Sequence, residues 1–131
     1  FVTAVADGVV LGGGDGQVWL DLDGDGLRQT GPVIFYLHVD AEDRVAPGTV
    51  VKAGDRIGHP SCEGGQSNAT HVHLARMLDG EWLAAAGDDP LVLGDWTTFG
   101  APESYDGGMT RGRDRREACE CRVVGANDVS W

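Results

Sequence analysis

Glycine, spread along the whole sequence, is the feature that most constrains the fold. The chain has 21 glycines in 131 residues, and clusters such as Gly12-Gly13-Gly14, Gly64-Gly65 and Gly107-Gly108 divide it into short segments. Between these clusters lie short runs rich in valine, leucine, isoleucine and tryptophan. Frequent glycine turns between short apolar runs are typical of β-strands rather than helices, so we predict an all-β protein.

Length and charge narrow the class further. A chain of 131 residues is long enough for one domain with a hydrophobic core and too short for two. The formal net charge of −11 argues against nucleic acid as a partner, because the phosphate backbone would be repelled. No apolar stretch reaches the ~18–20 residues that a membrane span needs. We therefore expect a protein with no membrane span and no nucleic-acid partner.

Short strands are predicted throughout the first two thirds of the chain. The strand candidates are Thr3–Val5, Val9–Leu11, Val18–Leu22, Val33–Val39, Val50–Val51, Arg56–Gly58, His71–Leu78 and Glu81–Ala85. Gly14-Asp15-Gly16 and Asp79-Gly80 have the composition of tight hairpin turns.

The pattern is looser after Pro90. Leu91–Phe99 is predicted to add one or two strands, and Gly100–Gly108 to form a loop. The charged run Arg111–Glu117 is interpreted as a solvated turn, and Ala118–Val124 as a final edge strand.

Three of the four histidines lie in two of the strand candidates. In His71-Val72-His73 the two imidazoles project to the same side of a strand, because alternate side chains share a face. Strand alternation also places Tyr36 and His38 on one face, opposite Leu37 and its neighbours. Imidazoles in this arrangement hold a transition metal, or pair one metal ligand with one general base.

The order of these signals along the chain resembles the lysostaphin-like (LytM-type) zinc metallopeptidases, which cut peptide bonds in bacterial cell walls. The strand-turn-strand Ala4–Val10 comes first, and Tyr36-Leu37-His38 and Val50–Gly58 follow it. A glycine- and serine-rich loop then leads into Thr70-His71-Val72-His73-Leu74. The resemblance covers roughly Phe1 to Leu83, and its strength lies in the ordered set of motifs.

The resemblance implies a fold, a cofactor and residue roles. The fold would be a compact, mostly antiparallel β-sandwich or barrel-like domain of the duplicated-hybrid-motif type, with the site in a groove on the central sheet. His73 would be a zinc ligand, and His38 and His71 would be catalytic, acting on a zinc-polarised water and on the oxyanion. Residues 1–88 would form the peptidase core, and residues 89–131 an extension packed on the same domain.

The resemblance also implies a substrate and a location. The expected substrate is a peptidoglycan cross-link or another glycine-rich peptide, and the expected location is extracellular or in the cell envelope of a bacterium. We expect the protein to act as a monomer.

Two further zinc ligands of the family come from an H-x-x-x-D motif upstream of the Ala-x-x-Asp-Gly strand, which here begins almost at residue 1. A catalytic zinc normally has three protein ligands, and His73 is one. We expect the upstream motif to lie outside this chain. The alternative is a non-catalytic β module that binds cell-wall peptide or glycan, or activates a partner hydrolase.

A second chemical candidate is the acidic segment Asp21-Leu22-Asp23-Gly24-Asp25-Gly26, which has the D-x-D-x-D-G opening of a calcium loop. The completing acid is absent, because position twelve of such a loop is Pro32. The segment is therefore interpreted as a hairpin turn, with a Ca²⁺ site at Asp21, Asp23 and Asp25 as the alternative.

The three cysteines leave the redox state open. Cys119 and Cys121 are too close in an extended strand to bridge comfortably with each other, whereas Cys62 could pair with either of them. Three reduced thiols, or a structural zinc site that adds His59 to the cysteines, are the alternatives.

Overall fold

The structure is a computed structural model that describes residues 1–67, 69–100 and 106–118, and in these residues it contains twelve β-strands and no helix. The strands are β1 (Val2–Thr3), β2 (Gly8–Leu11), β3 (Val18–Asp21), β4 (Pro32–Leu37), β5 (Val50–Val51), β6 (Arg56–Gly58), β7 (His73–Leu78), β8 (Glu81–Leu83), β9 (Val92–Leu93), β10 (Trp96–Gly100), β11 (Gly107–Arg111) and β12 (Asp114–Glu117). Every strand pair is antiparallel. The predicted all-β, antiparallel class is confirmed. Nothing in the described part of the chain is a helix long and apolar enough to cross a membrane.

The chain forms two compact units, of which the first comprises Phe1–Leu83 and the second begins at Ala84. In the first unit, six strands form one sheet in the order β5-β2-β3-β4-β7-β8, and β1 pairs with β6 in a separate two-stranded sheet. The long strands β4 and β7 lie next to each other inside the larger sheet. The histidine segments at their ends are therefore neighbours.

One face of the six-stranded sheet packs against the two-stranded sheet to make the core. Side chains from both sheets belong to a single buried cluster, formed by Val2, Ala4, Val10, Val18, Leu20, Ile34, Tyr36, Val39, Val51 and Ile57. Cross-strand register aligns Val10 with Leu20 and Leu20 with Ile34, so alternate residues of three strands point into this core. Burial of these apolar side chains is the main stabilising term of the first unit.

The opposite face of the same sheet carries aromatic side chains and one of the histidines. The register pairs Trp19 with Phe35, Phe35 with Ala75, Leu37 with His73, and Met77 with Trp82, and residues directly opposite each other share a face. We call this side the His73 face.

The strand alternation that was expected for Val33–Val39 breaks at His38. Strand β4 ends at Leu37, and His38 has a left-handed backbone with φ of 68°. Val39 then enters the core cluster with Tyr36, although continued alternation would place the two on opposite faces. The prediction that one strand runs through His38 is therefore wrong. Histidine is among the side chains that tolerate this φ, at some cost in strain.

The hairpin predicted at Asp79-Gly80 is confirmed. It joins β7 to β8, and both residues have positive φ, 51° and 83°, as a type I′ turn requires. The predicted strand beginning at His71 starts two residues later, at His73, where pairing with β4 begins.

The second unit contains a four-stranded sheet in the order β12-β11-β10-β9. The interpretation of Arg111–Glu117 as a solvated turn holds for Gly112-Arg113, which form the exposed turn between β11 and β12. It is wrong for Asp114–Glu117, which is a strand paired with β11. The reason lies in its arginines: the Arg115 guanidinium stacks on the Phe99 ring of β10 at 3.9 Å, so the charged run covers aromatic surface. The strand predicted at Ala118–Val124 lies almost wholly outside the described residues.

Tyr36 ties the core of the sheet to the first segment of the chain. Its ring is 1% exposed, and its hydroxyl accepts a hydrogen bond from the Val5 N–H at 2.8 Å. Burial raises the pKa of Tyr36 to about 12, although the bond from Val5 acts in the other direction.

Replacement of this phenol should show a characteristic pH dependence. At pH 7, Tyr36→Phe is expected to lower the free energy of unfolding by about 1–2 kcal/mol, because the N–H of the half-buried Val5 loses its acceptor. Above pH 10, the unfolded Tyr36 ionises while the folded one does not, so up to about pH 12 the wild type loses stability that Tyr36→Phe does not lose, in addition to any loss that the two proteins share. Urea unfolding at pH 7, 10 and 11.5 measures the difference. A gap between the two proteins that stays constant across this range contradicts the buried neutral phenol.

Candidate active site

The structure brings His38 and His71 into ring contact. The centroids of the two imidazoles are 4.5 Å apart, and the ring planes are inclined by 52°. His38 follows the end of β4, and His71 precedes the start of β7, which is antiparallel to β4. The antiparallel pairing therefore joins two segments that are 33 positions apart in the sequence.

The backbone around the two histidines is held by one short segment, Pro60-Ser61. Pro60 pairs with Val39, and Ser61 pairs with His71. The Ser61 N–H also donates to the His38 carbonyl at 2.7 Å. This segment is bonded to the chain at both histidines, which fixes the distance between their backbones.

The His38 imidazole is buried and has a fixed tautomer. Its Nδ1 lies 2.7 Å from the backbone carbonyl oxygen of Glu63, and the residue is 4% exposed. A carbonyl oxygen can only accept, so Nδ1 carries the hydrogen in the neutral ring. Nε2 is then the nitrogen with the free lone pair, which can act as a base.

The His71 imidazole has the same arrangement in an exposed setting. Its Nδ1 lies 2.8 Å from the carbonyl oxygen of Ala69 and 3.3 Å from the Ser67 hydroxyl. The Ser67 hydroxyl itself donates to the Ala69 carbonyl. Nδ1 of His71 is therefore also the protonated nitrogen, and Nε2 is left to take a proton. Two imidazoles with matching tautomers lie side by side.

His73 is the first residue of β7, lies opposite Leu37 of β4, and is exposed. Within the described residues, the only group of three or more His, Cys, Asp or Glu side chains with ligand atoms within 4.8 Å of one another is Asp21, Asp23 and Asp25. The described residues therefore do not complete a three-ligand zinc site around His73.

An aromatic cluster lies on the His73 face. Trp19 and Phe35 have ring centroids 4.4 Å apart, and Trp82 lies 5.9 Å from Trp19 and 5.7 Å from Phe35. The Arg28 guanidinium stacks on the Trp19 ring at 4.5 Å. Trp82 is 56% exposed, so this cluster presents an open aromatic surface on the face that carries His73.

The acidic turn is built around a buried carboxylate. Asp21 is 0% exposed and accepts hydrogen bonds from the backbone N–H groups of Asp23, Gly24 and Gly26. Burial disfavours the charged form, but the bonds from Gly26 and Gly24 outweigh it, and the pKa of Asp21 is lowered. The loop thus satisfies its central carboxylate with its own backbone, as the hairpin interpretation requires. The Ca²⁺ site at Asp21, Asp23 and Asp25 stays a prediction.

The remaining candidates take no part in the histidine pair. The His59 ring packs on Phe1, with ring centroids 4.6 Å apart, and Cys62 is exposed. The disulfide and the structural zinc site both need Cys119 or Cys121, which lie outside the described residues.

Sequence reasoning missed the groups that orient the two imidazoles. These groups are the main-chain carbonyls of Glu63 and Ala69. Every residue has a main-chain carbonyl, so the residue types in the sequence do not reveal which carbonyl will bind an imidazole. The glycine- and serine-rich composition of the loop before Thr70 was the available signal, because such loops let the backbone approach a side chain closely.

No protein-family model matches this sequence, and no curated protein matches it. The fold is similar to that of a solved structure described as a novel M23 metalloprotease, pseudoalterin, from the deep sea. The TM-score is 0.66 over 90% of this chain and 69% of that chain, at 19% sequence identity. The chain therefore has the all-β fold of an M23 (LytM-type) metalloprotease, in agreement with the resemblance found in the sequence.

Loss of the buried carboxylate in the acidic turn should destabilise the protein. Asp21→Asn is expected to lower the free energy of unfolding at pH 7 by about 2 kcal/mol, because an amide has one acceptor oxygen for three backbone donors. The exposed Asp25→Asn is the matched control and should change it much less. The folded pKa of Asp21 lies below 3.8, so its contribution is present above that pH and is lost as the pH falls further. Urea unfolding at pH 7 and pH 3 measures both effects.

The same two variants test the Ca²⁺ prediction. A bound ion would raise the melting temperature of the wild type on addition of Ca²⁺, and both variants would lose this shift. An unchanged melting temperature in millimolar Ca²⁺ contradicts the calcium site and leaves the hairpin interpretation.

Proposed function

We propose that this chain carries the histidine part of a zinc-dependent endopeptidase site. The observation that supports the proposal is the His38–His71 pair, in which each Nδ1 binds a main-chain carbonyl and each Nε2 is left as a base. Such a pair, on the fold of an M23 metalloprotease, suits the hydrolysis of a peptide bond.

The two imidazoles would divide the proton transfers of hydrolysis. One Nε2 takes a proton from a water molecule as the water oxygen bonds to the scissile carbonyl carbon. An imidazolium then returns a proton to the nitrogen of the leaving amine as the C–N bond breaks. The carbonyl contacts keep each ring in the tautomer that this sequence of transfers needs.

His73 would serve as one zinc ligand. The support for this role is its position in the chain: His73 begins β7, lies two residues after His71, and is exposed. A complete centre needs further ligands from outside the described residues.

The proposed substrate is a peptidoglycan cross-link or another glycine-rich peptide. The exposed aromatic cluster on the His73 face offers a stacking surface for the flat faces of peptide groups or sugar rings. The net charge of −11 favours a peptide or cationic substrate over a polyanion. The proposed setting is the bacterial cell envelope or the extracellular space, with the protein as a monomer.

A second candidate function is binding without hydrolysis. It is favoured by the finding that the described residues around His73 do not complete a zinc site. In that case the same surface would bind cell-wall peptide or glycan, or present it to a partner hydrolase.

Histidine replacements separate these functions. The protein, expressed as this chain and with any residues encoded before Phe1, is assayed for bound zinc and for hydrolysis of purified peptidoglycan. We expect His73→Ala to lose both zinc and activity. His38→Ala and His71→Ala should lose activity by about 10²–10⁴-fold and keep most of the zinc, because general acid–base catalysis contributes on that scale.

His59→Ala is the matched control. It removes the one histidine that has no role in the proposed site, and it should leave zinc content and hydrolysis unchanged. Suppose that no form of the protein hydrolyses peptidoglycan in the presence of zinc, but the wild type still binds peptidoglycan. The binding function then replaces the peptidase function. If His71→Ala retains activity, the role assigned to the pair is wrong.

The aromatic cluster can be tested separately. Trp82→Ala is expected to raise KM for soluble peptidoglycan fragments about three- to tenfold with kcat unchanged, because an exposed aromatic contributes roughly 0.5–1.5 kcal/mol of stacking. Leu78→Ala, also exposed but on the other side of β7 by strand alternation, is the control. Equal KM values for Trp82→Ala and the wild type would remove the cluster from the substrate site. Pull-down with insoluble peptidoglycan gives the same comparison for a protein that only binds.

A further inference from the structure

Arg44 joins three separate parts of the first unit. Its Nη2 forms a 2.6 Å ion pair with the Glu63 carboxylate. Its Nε donates to the Asp40 carbonyl at 3.1 Å, and its Nη1 donates to the Gly14 carbonyl at 3.4 Å. Only 19% of the side chain is exposed. Every nitrogen of the guanidinium therefore has an acceptor in a different segment, which a lysine could not reproduce.

Glu63 is bound to the site through its backbone as well as its side chain. Its carbonyl oxygen accepts the Nδ1–H of His38, and its N–H donates to the Ser61 hydroxyl at 3.0 Å. Ser61 in turn donates its own N–H to the His38 carbonyl. The residue that orients the His38 ring is thus held at its N–H by Ser61 and at its carboxylate by Arg44.

Close packing against the turn between β2 and β3 also fixes the loop at Glu63 and Gly64. A methyl group on Gly16 would overlap the Glu63 carbonyl oxygen, and one on Gly64 would overlap the Asp15 carbonyl oxygen. Both glycines also have positive φ, 68° and 81°. The loop at Glu63 and Gly64 therefore lies directly against the turn between β2 and β3, where only glycine fits.

We propose that Arg44 and Glu63 are positioning residues for His38: their ion pair holds the Glu63 carbonyl in place, and this carbonyl keeps the His38 ring in the Nδ1–H tautomer with Nε2 free. The proposal rests on the proposed function only in giving His38 the role of a base. The hydrogen bonds that define it are independent of any activity.

The physical argument turns on the burial of His38. A buried ring N–H without an acceptor is costly, so the tautomer follows the position of the one carbonyl within reach. If that carbonyl moves, the hydrogen is no longer held at Nδ1, and the ring populates the Nε2–H form, which cannot act as a base at that atom. An ordinary surface ion pair would contribute little to stability and nothing to the tautomer.

Nitrogen NMR of the histidine rings tests the proposal directly. In a neutral imidazole the protonated and unprotonated ring nitrogens have distinct ¹⁵N shifts, so long-range ¹H–¹⁵N spectra of the zinc-free protein report the His38 tautomer. The variants are Arg44→Ala, Arg44→Lys and Glu63→Gln. Lys52→Ala is the matched control, because it removes the cation of an exposed 2.7 Å ion pair with Asp7.

The wild type and Lys52→Ala should show His38 as Nδ1–H alone. Arg44→Ala should show a mixture of tautomers, with hydrolysis reduced about five- to tenfold at unchanged zinc content. Glu63→Gln keeps the side-chain volume and a neutral acceptor, and Arg44→Lys keeps the charge. The tautomer populations and hydrolysis rates of both variants should therefore lie between those of the wild type and of Arg44→Ala. These two variants carry the test if Arg44→Ala does not fold.

A single Nδ1–H tautomer in all folded variants overturns the proposal. The result is separable from the fate of the proposed function. If the protein has no hydrolase activity but its His38 tautomer changes in the Arg44 variants, the proposed peptidase function is contradicted. The proposal that Arg44 and Glu63 position His38 then stands. If the protein is active but neither the His38 tautomer nor the hydrolysis rate changes in the Arg44 and Glu63 variants, only the positioning proposal is contradicted.

Discussion

Antiparallel pairing between β4 and β7 is the constraint on which the rest of the site depends. The register that places Leu37 opposite His73 also places the end of one strand beside the start of the other. His38 and His71 lie just beyond these ends, so a shift of the register by one residue would separate the rings and turn His73 to the core face. The apolar pattern of the core face prevents such a shift, because every buried side chain of both strands would move with it.

The site is made of main-chain groups as much as of side chains. The carbonyls of Glu63 and Ala69 set the tautomers of the two imidazoles, and the Pro60-Ser61 segment bridges their backbones. These groups belong to loops, yet the loops are held by an arginine, by close glycine contacts and by backbone hydrogen bonds. A rigid frame of this kind holds the two imidazoles in fixed orientations.

The strand candidates were predictable where alternation or β-branched residues were strong, as in Val18–Leu22 and Val50–Val51. The sequence predictions failed where tertiary contacts overrode the local preference for a turn or a strand. The run Arg111–Glu117 is highly charged, and only the aromatic rings of β10 make its second half a strand. Strand alternation likewise could not predict that β4 would end before His38, since the left-handed backbone there is held by bonds to Gly16, Ser61 and Glu63.

The sequence by itself determined the all-β class, through its glycine spacing and short apolar runs, and it marked three histidines as a candidate site. Both properties are local, because turn preference and strand periodicity act over a few residues. The tertiary structure decided which of the histidines meet, which nitrogen of each ring is free, and which face carries the aromatic cluster. Those properties depend on register and on carbonyl positions, which arise only when distant segments pack together.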